Sequence, residues 1–186
     1  KRLVEQAVKL FGAQHYDNYH FLLSITDTLG GIGLEHHRSS ENGVKPGYFI
    51  DWENSTPSRD LLPHEFTHSW DGKFRRGADL WTPDYRMPMR NSLLWVYEGQ
   101  TQFWGYVLQA RSGMISKQDT LDAYAMLLAS ADTTKGREWR PVAIPAEKSR
   151  MEVDGHPLEI DFWGVGRVEK LIGVEHDNPV SPCLFR

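Results

Sequence analysis

The pentapeptide His64-Glu65-Phe66-Thr67-His68 sets two imidazoles and a carboxylate within one turn of chain. Residues at i and i+4 project from one face of an α-helix. His64 and His68 therefore reach a single cation, with Glu65 beside them to work on a bound water. With 8 His and 12 Glu in 186 residues, the pattern is expected by chance roughly 0.02 times. The bland alternative is a surface helix that carries two histidines. A catalytic zinc takes three protein ligands and keeps a fourth position for water, so a third ligand must come from elsewhere. In LLWVYEGQTQFWGYVL, Glu98 is set among apolar and aromatic residues. An unpaired carboxylate there is costly and a metal is its strongest partner, the alternative being a partly exposed carboxylate at the mouth of a cleft.

These residues need elements to hold them. Pro63 suits the first turn of a helix that continues from His64 to about Phe74, after the turn-forming run NSTPSRD. Ser92 is placed to cap a long helix to about Arg111, stopped by Gly113. Ser116 with Asp119 resembles a capping box for another to about Ala131. Residues 77–88 hold two prolines without sustained period and read as a long loop. Upstream, Leu3, Val4, Ala7, Val8, Leu10 and Phe11 recur at helical spacing and Gly12 ends the pattern. YHFLLSIT (19–26) reads as a buried strand. GLEHHRS (33–39) and GYFIDW (47–52) read as further extended segments around the turn-rich ENGVKPG.

Composition removes several classes of function. Asp and Glu outnumber Lys and Arg by 25 to 21, net charge −4, which argues against a general nucleic-acid binder. No uninterrupted apolar stretch, Leu93 to Tyr97 among them, comes near the ~18 residues of a membrane span, so a soluble chain is expected. Cys183 is the single cysteine and forms no internal disulfide; the compartment stays unknown. The chain opens inside a helix with Lys1 and reads as a piece of a longer protein.

Taken in order, Gly33-Leu34-Glu35-His36, HEFTHSW and LWVYEGQT resemble the glycyl aminopeptidase family of zinc metallopeptidases, relatives of thermolysin. LFGAQHYDNYHFLLSITD (10–27) is similar to that family's entry to its catalytic domain, and the likeness covers residues 1 to 130. The interval from His68 to Glu98 is longer than in the larger related aminopeptidases, which favours this family. The resemblance implies an α+β, thermolysin-like metallopeptidase domain, with a small sheet packed on a mainly helical zinc-binding lobe. It implies Zn²⁺ held by His64, His68 and Glu98, with Glu65 as general base and then proton donor to the leaving amine. Glu35 would meet the free α-amino group of a peptide substrate, making the enzyme an exopeptidase; the alternative is an ordinary strand carboxylate. His36 and His37 are adjacent and on a strand face opposite ways, so at most one lines a site. Asp71 stands where the family has Asn. Lys73, Arg75, Arg76, Arg86 and Arg90 read first as a solvated basic face, and second as a contact for a substrate carboxylate.

The expected organisation is a catalytic domain over 1–150, its sheet lobe near 1–55 and its zinc lobe near 56–132, followed by a tail over 151–186. After Gly136-Arg137-Glu138-Trp139-Arg140 the family continues to a Tyr-Tyr-x-x-Gly motif with an oxyanion-binding tyrosine. Here DFWGVG puts Phe162 and Trp163 in those places, and no Tyr follows Tyr124. The resemblance also implies a parent protein with an N-terminal β domain and a C-terminal peptide-binding PDZ domain. The expected function is zinc-dependent hydrolysis near a free N-terminus, with a preference for small residues such as Gly. The rivals are a zinc endopeptidase, or a zinc-stabilised binding domain that has lost catalysis.

Overall fold

The computed structural model describes residues 1–29, 31–56, 59–90 and 92–135, with the backbone of 152–153 and 156–157. The chain divides into two compact units, Lys1–Arg75 with Thr101–Ala125, and Arg76–Gln100 with Met126–Arg186. The architecture is mixed α+β, with helices and a small three-stranded sheet.

In the first unit α1 (Arg2–Phe11) stops at Gly12. Three strands follow, β1 (His20–Ile25), β2 (Ile32–Glu35) and β3 (Ser39–Val44). Their spatial order is β1-β3-β2, with β1 parallel and β2 antiparallel to β3. Two expectations are corrected here. The third strand is Ser39–Val44, not 47–52, where the chain forms turns and a 3₁₀ segment over Trp52–Asn54. Its inner residues are the small polar Ser40 and Asn42, fully buried, so hydropathy gives no sign of a central strand. Asn42 Nδ2 donates to the Leu22 carbonyl at 3.0 Å and to Ser40 Oγ at 3.0 Å, which offsets part of the cost of its burial. Second, β1 is an edge strand and is not buried: Leu22 and Ile25 are about half exposed, and Phe21 supplies its contact with the core.

α2 (Leu61–Thr67) packs on β2, β3 and α3 (Thr101–Arg111), and α1 packs on α3 as well. Phe66 and Trp70 join Leu3, Ala7, Tyr16 and Leu108 in the core. Phe66 is wholly buried, its ring 4.6 Å from Tyr19, 5.1 Å from Phe21 and 5.0 Å from Trp70. Trp70 Nε1 donates to the Ala13 carbonyl at 2.9 Å. The middle residue of HEFTH is therefore the aromatic anchor that fixes the helix. α2 is shorter than expected: His68 is its C-terminal cap, and residues 68–75 continue as turns.

The second unit contains a 3₁₀ turn at Ala78–Leu80 and a π-helical segment at Trp95–Gln100. Ser92 caps no helix; its backbone N–H donates to Asp79 Oδ2 at 3.0 Å and its hydroxyl bonds the same oxygen. The expected uninterrupted α-helix over 92–111 is thus a π segment preceding α3. Such segments insert one residue into a turn, and recur at functional sites. α4 (Lys117–Asp132), which belongs to the first unit up to Ala125, carries the capping box: the Asp119 N–H donates to Ser116 Oγ at 3.0 Å, and Ser116 Oγ donates to Asp119 Oδ2 at 2.7 Å. β4 (Glu152–Val153) and β5 (His156–Pro157) pair antiparallel. Among the described residues no helix is long and apolar enough to cross a membrane.

Candidate metal centre

α2 delivers His64, Glu65 and His68 to one place, all three buried. Their ligating atoms lie within 4.8 Å of one another, the one such group of His, Cys, Asp and Glu side chains among the described residues. The two Nε2 atoms converge to 3.1 Å with the rings nearly perpendicular, at 82°. Two nitrogens at ~2.0–2.1 Å from a tetrahedral zinc sit ~3.3 Å apart, so the pair is already at close to the spacing that zinc requires. His68 Nδ1 donates to the Asp71 carbonyl at 3.1 Å. In a neutral ring that bond puts the proton on Nδ1 and leaves the Nε2 lone pair for a cation. The residues fit zinc by donor type, spacing and tautomer.

Glu65 is held from the sheet side. A Cβ built on Gly33 would lie 2.7 Å from Glu65 Cδ and 3.0 Å from Leu61 Cδ1, and would run into Glu65 Oε1. Any side chain at that point of β2 would push the Glu65 carboxylate out of its present place. Tyr19 donates its hydroxyl to the Glu65 carbonyl at 3.4 Å. Its phenol is pushed up strongly, first by burial and then by the charges of Glu65 and Glu35 nearby.

Glu35 ends β2 two residues beyond Gly33, on the same face of the strand. Its Oε1 is 3.2 Å from Lys73 Nζ, with about a fifth of either side chain exposed. Lys73 is thus no part of a solvated face. A substrate ammonium that used Glu35 would have to share it with this internal cation. Of the adjacent histidines, His37 stacks on His15 at 4.9 Å, and His15 stacks on Phe74 at 4.6 Å. Burial and the neighbouring His37 lower the His15 pKa to about 4.

Behind the histidines stands a row of polar residues that motif reading passed over. Thr101, wholly buried, donates to Asp71 Oδ2 at 3.2 Å, and its Oγ1 is 3.4 Å from His68 Nδ1. Asp71 therefore serves His68 through its carbonyl and α3 through its carboxylate. Gln102 Nε2 donates to Asp60 Oδ2 at 2.6 Å, and Asp60 lies one turn before His64. Burial raises the Asp60 carboxyl, opposed by the Gln102 hydrogen bond and by His64. The i−4 spacing of Asp60 from His64 was readable in the sequence; the partnership with Gln102 was not.

Glu98 belongs to the second unit, on the π segment Trp95–Gln100. Of the phenols able to bind an oxyanion, Tyr124 donates to the Phe103 carbonyl at 3.0 Å, and burial raises the pKa of both Tyr106 and Tyr124. The DFWGVG segment with Phe162 and Trp163 lies outside the described residues, as does the GREWR segment.

A family model described as M61 glycyl aminopeptidase matches residues 58–156, more than half of the chain. A search of curated proteins gives no match. Among solved structures the chain is similar to an aminopeptidase N family protein from Idiomarina loihiensis, at 24% identity and a TM-score of 0.66. The alignment covers 73% of this chain and 24% of that one, and at this identity the likeness speaks to fold alone.

Proposed function

The chain belongs to the M61 glycyl aminopeptidase family, and from that membership we propose that it carries the zinc centre of a thermolysin-like peptidase acting beside a free N-terminus. The observation that carries the reading is the convergence of two buried Nε2 atoms at 3.1 Å, with the second ring's other nitrogen already engaged by a carbonyl. His64, His68 and Glu98 would hold the ion. Zinc, when bound, supplies Lewis-acid polarisation of the scissile carbonyl and makes water a nucleophile at neutral pH. Glu65 accepts the proton of the attacking water and returns it to the leaving amine. Gly33 keeps the space that the Glu65 carboxylate occupies. Glu35 pairs with the substrate ammonium, and Lys73 holds that carboxylate in place until the substrate arrives. The preference for a small first residue such as Gly rests on the family alone.

Metal analysis joined to an aminoacyl-anilide assay tests the proposal. About one zinc per chain and hydrolysis of a free but not an acetylated substrate is the expected result. Equal hydrolysis of both substrates would replace aminopeptidase by endopeptidase. Zinc without hydrolysis would leave a binding domain.

A further inference from the structure

Thr101 stands three residues after Glu98, at the end of LWVYEGQT. It opens α3 and is wholly buried. A β-branched residue is a poor helix former, and a buried hydroxyl is costly unless it is hydrogen-bonded. A helical threonine ordinarily gives its hydroxyl to the carbonyl four residues earlier, as Thr67 of α2 does with Pro63 at 2.8 Å. Thr101 instead directs its hydroxyl to another element, the turns that follow α2. It donates to Asp71 Oδ2 at 3.2 Å, and the same hydroxyl oxygen is 3.4 Å from His68 Nδ1. The Asp71 carbonyl accepts from that nitrogen at 3.1 Å. Two oxygens therefore flank the Nδ1 edge of His68, and the hydroxyl among them is itself tied to the Asp71 carboxylate.

That contact needs α3 to lie close against α2, and one turn beyond Thr101 the reason it can is visible. A Cβ built on Gly105 would lie 3.2 Å from His64 Cα, and 3.3 Å from both His64 Cβ and His64 N. Glycine inside a helix is unfavourable relative to alanine, so Gly105 gives α3 proximity at the expense of local stability. Neither helix is free to back away. Phe66 anchors α2 among Tyr19, Phe21 and Trp70, and the wholly buried Leu108 ties α3 to the same core. Thr101 and Gly105 are an i, i+4 pair on α3, as His64 and His68 are on α2. The pairs meet in reverse order, Thr101 at the ring of His68 and Gly105 at the backbone of His64.

We propose that Thr101 is a positioning residue for the metal centre: its hydroxyl fixes the His68 imidazole by its Nδ1 edge, so that Nε2 faces the cation, and Gly105 admits α3 close enough for that contact. The inference rests on the metal centre proposed above. A ring held through its second nitrogen keeps one orientation and one tautomer, and loss of such a partner typically weakens metal binding ~10–100-fold. Thr101 touches neither substrate nor cation in this role. It acts through His68, directly and by way of Asp71.

The test measures, in the full chain, zinc affinity by competition with a chromogenic chelator and thermal unfolding of the metal-free protein. Thr101→Val keeps the shape of the side chain and removes its hydroxyl, and is expected to bind zinc ~10–100-fold more weakly. Thr101→Ser returns the hydroxyl and is expected to return the affinity. Leu108→Val thins the same buried face of α3 and leaves the hydroxyl in place, so it should lower the metal-free Tm and spare zinc binding. Gly105→Ala should weaken zinc binding, and combined with Thr101→Val the two losses should sum to less than their separate values, because the added methyl already opens the contact. Unchanged affinity in Thr101→Val would overturn the proposal. So would full additivity of the pair, or losses of affinity that simply follow metal-free Tm across Thr101→Val and Leu108→Val alike, the mark of a merely structural residue. Should Thr101→Val not fold, Gly105→Ala decides: affinity lost beyond what Leu108→Val loses supports the role, and an equal or smaller loss ends it. A parent chain that takes up no zinc would remove the metal centre and this role with it, a result distinct from every variant-specific outcome.

Discussion

Glu65→Gln exchanges one oxygen for nitrogen, keeps the shape of the side chain and removes its capacity to take a proton. Zinc content should stay at the parental level, while hydrolysis falls by ~10²–10⁴, the usual worth of a positioned general base. Activity within a few-fold of the parent would take the role from Glu65. Glu35 is tested by contrast between substrates. If its carboxylate pairs with an ammonium, Glu35→Ala loses far more activity on a free N-terminus than on an acetylated one. The 3.2 Å pair with Lys73 adds a control: Lys73→Met should alter KM for the free amine and leave zinc binding as it was. Equal losses on free and acetylated substrates in Glu35→Ala would make Glu35 an ordinary strand carboxylate.

Two elements press on the site, and each can be perturbed without touching a ligand. On β2, Gly33→Ala places a methyl where the Glu65 carboxylate now lies. Zinc binding should persist and turnover should drop at least ~10-fold, since a displacement of ~1 Å in a catalytic group costs on the order of 10² in rate. Parental activity in that variant would mean that Glu65 works from another position. The segment after α1 meets the turns after α2 through the His15 stack, where His15 Nε2 and Ser69 Oγ are 2.8 Å apart. With its folded pKa near 4 against 6.5 unfolded, His15 stays neutral in the native state while the unfolded chain takes up a proton. Its contribution is therefore complete above pH 6.5 and is lost as the pH falls from 6.5 toward 4. His15→Phe keeps a ring in the stack and removes this titration. The urea midpoint of the variant should fall less between pH 7 and pH 5 than that of the parent; parallel falls would show that another group is responsible.

For the molecule as a whole, zinc bound at the proposed centre would be linked to folding, because a ligand set brought together by packing exists only in the native state. At free zinc a thousandfold above Kd, linkage gives ~4 kcal/mol of added stability. In a chain of this size that corresponds to ~10 °C in Tm. Chelation should lower the parental Tm accordingly, and Glu98→Ala should abolish most of the response. An undiminished chelator effect in Glu98→Ala would remove Glu98 from the ligand set.

The convergence of His64, Glu65 and His68 on one place was legible from the letters of the chain. HEFTH announces itself because a metal needs particular donor atoms at one helical turn, a requirement written entirely in residue type and spacing. α1 with its stop at Gly12, and α4 with its Ser116–Asp119 box, were legible for the same reason: helical periodicity and end-capping involve residues within a few positions of one another. β3 was not legible, because Ser40 and Asn42 are buried polar residues whose partners, Leu22 among them, lie far away in sequence. Gly33 appeared in the motif without its reason, which is the Glu65 carboxylate packed against it. The π segment around Glu98 looks like ordinary helix in its letters, since α and π turns draw on the same residues. The pairing of Lys73 with Glu35, and of Gln102 with Asp60, came only from the packing of α2 against the sheet and α3. Sequence specifies which groups are able to bind a metal or move a proton. Tertiary structure alone decides which buried charges stand beside them, because those pairings are set by the approach of elements distant in the chain.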